Sequence, residues 1–149
     1  MEREIIRAIN VDEINKVIRE SSSTSKIYIG CDSQQSKKNT VFGLAIVIHI
    51  DSQHGGRLFV EISRTPRITS LRQRLMTEVE IAVGNSYQFL DAIGNRPFEI
   101  HLDINPDPKH KSNIVCNEAI GYVVGQGFNC KVKPDSFVAT HCADHFVRG

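Results

Sequence analysis

Three strand-patterned runs joined by short loops, followed by strand-like runs separated by helical stretches, restrict this chain to a mixed α/β sheet. The first run, 26–32, alternates: Ile27, Ile29 and Cys31 share one face, and Tyr28, Gly30 and Asp32 the other. The second, 40–51, is nearly all apolar, as expected of a strand covered on both faces. The third, 57–64, alternates again. Loops this short cannot hold a crossover, so the three form an antiparallel meander. A long helix follows, opened by Ser70 with Gln73 as a capping box and striped by Leu71, Leu75, Val79, Ala82, Phe89, Leu90 and Ile93. Gly84-Asn85 is where it would kink or divide. Strand four is 98–104, closed by Pro106 and Pro108; a helix over about 113–124, a short strand 130–133 and a last helix 137–147 complete the pattern.

Helical crossovers between parallel strands are right-handed, so strands four and five lie parallel to strand one. The result is a five-stranded mixed sheet, order 3-2-1-4-5 with strand 2 antiparallel, flanked by helices. Residues 1–20 read as an extra N-terminal helix, from Ile5, Ile6, Ile9, Ile14, Val17 and Ile18, with Asn10 and Glu13 as an internal cap. Residues 21–25 are a polar break too short to separate domains. One domain over 1–149 is expected, with 1–20 appended and 26–147 as its core.

Strand four repeats the feature of strand one. Ile100, Leu102 and Ile104 oppose Glu99, His101 and Asp103, so Asp103, like Asp32, stands at a strand end on the polar face. Strands one and four are neighbours where the winding reverses, the place where open α/β sheets bind ligands. Two carboxylates rarely converge without a cation. Glu78 falls within the apolar stripe of the long helix, whereas Glu80 points away, and a buried carboxylate needs a partner. Asp144 shares a face of the last helix with Phe137 and His141. Four carboxylates suit hard cations, two Mg²⁺ or Mn²⁺ ions, which about 3.5–4 Å apart activate water and stabilise the leaving oxygen of a phosphodiester.

The order of elements and the placement of Asp32, Glu78, Asp103 and Asp144 resemble the ribonuclease H-like fold with its D-E-D-D acidic site. More narrowly, IGCDSQ (29–34), HLDINP (101–106) and KPDSF…ADH (133–145) resemble the YkuK-type family of ribonuclease H-like proteins. The resemblance implies a nuclease in which Asp32 bridges the ions, Glu78, Asp103 and Asp144 complete their shells, and the products carry a 3′-hydroxyl and a 5′-phosphate. Cys31-Asp32-Ser33 stands where ribonucleases H proper usually have Asp-Gly, a departure that leaves RNA, DNA and hybrid all open as substrates.

The remaining features are weighed against ordinary roles. Lys37 and Lys38 follow strand one, and Lys109 and Lys111 follow strand four, so all four rim the acidic end and suit a polyanion, nucleic acid as RNA, DNA or hybrid. As solvated loop charges they would need no such role. His141 is a candidate proton shuttle. His141 and His145 have zinc spacing, but two further ligands have no obvious position. His101 is by default a satisfied core histidine, and Asp107 a turn residue. A non-catalytic nucleic-acid-binding or scaffold module with the same fold is the alternative function. A sugar-kinase or actin-type ATPase shares the core, but the chain has no second lobe and no paired Gly-rich phosphate loops.

Bulk properties fit. The net charge is +1, so any nucleic-acid surface is a local patch. No run approaches the roughly 18 apolar residues of a membrane span, and the acidic start at Glu2 and Glu4 is unlike a secretory signal, so a cytoplasmic protein without a membrane partner is expected. Four cysteines with no CxxC pair read as small buried hydrophobes. No oligomeric state is implied.

Overall fold

Among the described residues, backbone pairing forms six strands, one more than the sequence pattern suggests. The structure, a computed structural model, describes residues 2–51 and 55–138. Its elements are β1 (Glu4–Arg7), α1 (Val11–Glu20), β2 (Lys26–Gln35), β3 (Asn39–Asp51), β4 (Gly55–Pro66), α2 (Leu71–Ser86), α3 (Leu90–Ile93), β5 (Phe98–Leu102), α4 (Cys116–Gly125) and β6 (Asn129–Lys131). They form one sheet in the order β1-β4-β3-β2-β5-β6. From β4 to β6 this is the expected 3-2-1-4-5 order, with β2 antiparallel to β3 and parallel to β5.

The first twenty residues differ from expectation. Glu4–Arg7 is a strand on the free side of β4, and the helix begins only after Asn10, whose side chain accepts a bond from the Glu13 amide. Ile5 and Ile6 fit helical counting with Ile9, but β-branched residues suit a strand equally well. Cross-strand charge decides: Glu4 faces Arg64 at 2.8 Å, and Arg3 donates to Ser63 Oγ at 2.8 Å. Ile14 and Ile18 of this helix are fully buried in the main hydrophobic core.

Other boundaries move less. Ser33 to Gln35, expected as loop, continue β2 and pair with Phe42 to Thr40 of β3. The long helix runs through Gly84-Asn85 without a break and divides later, at a 3-10 turn over Tyr87–Phe89. Strand 98–104 stops at Leu102, and the 113–124 helix is a 3-10 turn (Lys111–Val115) leading into α4. Of the helix expected at 137–147, only Phe137 and Val138 lie within the described residues. No helix among the described residues is long and apolar enough to cross a membrane.

The main core lies between the sheet and α1, α2 and α4. Ile27, Ile29, Phe42, Leu44, Ile46 and Ile100 meet Ile14, Ile18, Val79 and Val123. A smaller cluster of Ala45, Val60, Ile62 and Val138 covers part of the opposite face, so β3 is buried on both sides. Gly30 permits this second layer: a Cβ there would lie 3.0 Å from the His101 carbonyl oxygen and 3.2 Å from Val138. Ser70 Oγ accepts the Gln73 amide at 3.1 Å and fixes where α2 starts. Ser70→Ala is expected to lower stability by about 1 kcal/mol, a fall of about 3 °C in a thermal melt.

Candidate metal centre

Strand register brings the acids together. β2 and β5 run in parallel with Gly30 opposite His101 and Cys31 opposite Leu102, and the next step along both chains reaches Asp32 and Asp103. Asp32 lies within β2, three residues before its end at Gln35, and Asp103 is the first residue past the end of β5. Ser33 turns to the other face, where its hydroxyl donates to Glu78 Oε2, while its amide donates to Asp32 Oδ1 at 2.8 Å. One residue thus holds a strand carboxylate and a helix carboxylate at once.

α2 delivers Glu78 because its entry is clamped to the meander. Thr40 is buried, and its Oγ1 accepts both the Ile68 amide and the Gln35 side-chain amide at 3.0 Å. From that start the apolar stripe faces the sheet, and Glu78 comes with it, 5% exposed, while Glu80 lies in solvent.

The electrostatics are those of crowded like charges. Burial, followed by the charge of Asp103, pushes the Asp32 carboxyl up to about 7, and a hydrogen bond with Asp103 acts in the same direction. Burial, followed by the charge of Asp32, holds Glu78 well above the usual glutamate range, against the opposing bond from Ser33. One ammonium offsets this charge. Lys133 Nζ lies 2.7 Å from Asp103 Oδ1, and that bond raises the lysine's own pKa. A proton on Asp32 or Glu78 therefore does what a bound cation would do: it relieves carboxylates packed in a poorly solvated place.

Hard oxygen donors on three carboxylates, with a serine hydroxyl among them, fit Mg²⁺ or Mn²⁺. As they stand, no three His, Cys, Asp or Glu side chains among the described residues are grouped closely enough to hold an ion. Glu78 is turned onto Ser33, and Asp103 onto Lys133.

The other expected residues divide clearly. Lys37, Lys38 and Lys109 are exposed on the loops that leave the C-terminal ends of β2 and β5, and Lys111 is exposed at the start of the 3-10 turn that follows β5. Asp107 is a turn residue, accepting the Lys109 amide at 3.0 Å. His101 is a core histidine with its own partners. It is 1% exposed, pairs with Glu99 at 3.2 Å, accepts the Phe137 amide and packs on Tyr28 and Phe137. Asp144 and His141, with Cys142 and His145, lie outside the described residues. Cys31 and Cys116 are buried and Cys130 partly so, and none is in a disulfide.

Ser33 and Lys133 were not expected in the site. Alternation does place Ser33 opposite Asp32, on the side that the long helix covers, so a signal existed. Lys133 had none, because a three-residue strand does not reveal where the chain after it turns.

The geometry agrees with relatedness. The family model described as Ribonuclease H-like matches residues 10–148. The chain belongs to the ribonuclease H-like family. Its members share the mixed sheet and flanking helices found here, and membership points to a nuclease-type or otherwise nucleic-acid-related function. The match begins at residue 10, so it takes in α1 as well as the 26–147 core. A relative in Bacillus subtilis (strain 168), the uncharacterized protein YkuK, is 25% identical over 147 residues, covering 89% of this chain and 84% of its own.

Proposed function

We propose that this ribonuclease H-like protein hydrolyses phosphodiester bonds in nucleic acid with the help of two Mg²⁺ or Mn²⁺ ions. The observation that carries the proposal is that parallel β2 and β5 set Asp32 beside Asp103, while buried Glu78, bonded to the adjacent Ser33, is near enough for the three charges to act on one another. Asp32, Glu78 and Asp103 would hold the ions, with Asp144 as the fourth carboxylate. When bound, the ions supply the positive charge that activates water and steadies the leaving oxygen. Asp32, within β2, and Asp103, just past β5, would fix their position. Ser33 orients Glu78, and the exposed loop lysines draw the phosphate backbone toward the edge.

A second reading has a specific observation behind it. With Glu78 held by Ser33 and Asp103 by Lys133, the carboxylates already have protein partners, as they would in a module that binds nucleic acid or a partner protein without cleaving. A panel of labelled single-stranded, duplex and hybrid RNA and DNA, incubated with manganese, separates the two. Manganese-dependent cleavage that vanishes in Asp32→Asn supports the nuclease. Retention of a substrate without cleavage by wild type supports the module.

A further inference from the structure

We infer that Lys133 is a resident counter-ion of the acidic cluster, one that entering divalent cations must displace. The inference rests on the metal-binding reading of Asp32, Glu78 and Asp103, and it concerns what occupies that site before metal arrives.

Lys133 is placed by backbone and not by chance of rotamer. Its amide donates to the Ile104 carbonyl at 3.1 Å, two residues beyond the end of β5, so its Cα is pinned beside Asp103. The Val132 carbonyl accepts the amides of Asp135 at 2.9 Å and Ser136 at 3.0 Å, which closes the turn after it. From this anchor Nζ reaches Asp103 Oδ1 at 2.7 Å, a charge-assisted contact at the short end of the normal range. Its charge also acts on Asp32, and all three acids raise its own pKa, while the Arg74 guanidinium is the cation that opposes the upward shift of Glu78.

The same side chain has room to leave. It is 46% exposed against 25% for Asp103, and it borders a groove of about 780 Å³ shared with Asn105, Pro106, Asp107, Pro134 and Ser136. A lysine stem with one end fixed and the other facing an open groove can swing out without disturbing the sheet. An ammonium and a divalent ion cannot both occupy the Asp103 oxygen at full strength. The metal that takes the Asp103 oxygen therefore competes with Lys133, and its binding costs that one ammonium contact.

The test uses the full chain, stripped of metal and measured at low ionic strength, as wild type, Lys133→Met and Lys133→Arg. Methionine keeps the apolar stem and loses the charge; arginine keeps the charge. Lys133→Met is expected to melt about 3 °C lower than wild type without metal, because the carboxylates lose their cation. It is also expected to bind manganese about tenfold more tightly by calorimetry. Lys133→Arg should follow wild type in both. Lys133→Met with unchanged or weaker manganese binding would overturn the inference, as would an unchanged metal-free melt. If wild type itself takes up no manganese, the metal reading fails and this inference falls with it, an outcome distinct from binding that ignores Lys133.

Discussion

Asp32→Asn is expected to reduce manganese-dependent cleavage by about 10³-fold or more while making the metal-free protein more stable. The two effects have one origin. Asp32 is the carboxylate most entangled with the others: it faces Asp103 and its charge bears on Glu78. On the proposed mechanism the substitution removes a metal ligand on which positioning and transition-state charge depend, and losses of that order follow when such a group is lost. Asparagine can still accept the Ser33 amide through its oxygen, and its new amide can donate to Asp103, so the local backbone has no reason to change. Without metal, the substitution removes repulsion and should raise the melting temperature at pH 8 by about 3–6 °C, equivalent to about 1–2 kcal/mol. Added manganese should raise the melting temperature of wild type and leave that of the variant unchanged. A variant less stable than wild type without metal would show that Asp32 is a structural carboxylate and not a strained one.

The second large effect is the pH dependence of the metal-free protein. Asp32 has an ordinary value of 3.8 and is pushed to about 7 in the fold, so between those limits the folded state holds a proton that the unfolded chain has released. Stability therefore falls as pH rises from about 4 to about 7, and below about 4 both states are protonated and the contribution is flat. With allowance for partial exposure and for charge shared with Asp103, the loss is about 2 kcal/mol. Glu78 is raised as well and acts in the same direction. The informative quantity is thus the difference between wild-type and Asp32→Asn melts across pH 4 to 8 in a chelator. The variant's advantage should grow steadily through that window. An advantage that is constant or shrinks would mean that Asp32 ionises normally.

The parts of this fold that were legible in sequence are those with a strong period. Alternation in 26–32 and 98–104 located both aspartates, and the topology rule for helical crossovers made their strands neighbours, as β2 and β5 are. The stripe on α2 singled out Glu78 over Glu80, and burial agrees. What was missed depends on contacts distant in sequence. β1 was hidden because Ile5 and Ile6 fit either period, and only Arg64 and Ser63, some sixty residues away, settle the matter. Lys133 was hidden for the same reason: its role comes from an amide bond to Ile104, which no local pattern encodes.

Crystals grown with manganese and measured at an energy where manganese scatters anomalously would address the central proposition without any assumed substrate. Two anomalous peaks about 4 Å apart, ringed by oxygens of Asp32, Glu78 and Asp103, with Lys133 withdrawn from Asp103, are the predicted result. Saturating manganese that leaves this sheet edge empty, with Ser33 still on Glu78 and Lys133 still on Asp103, would contradict it.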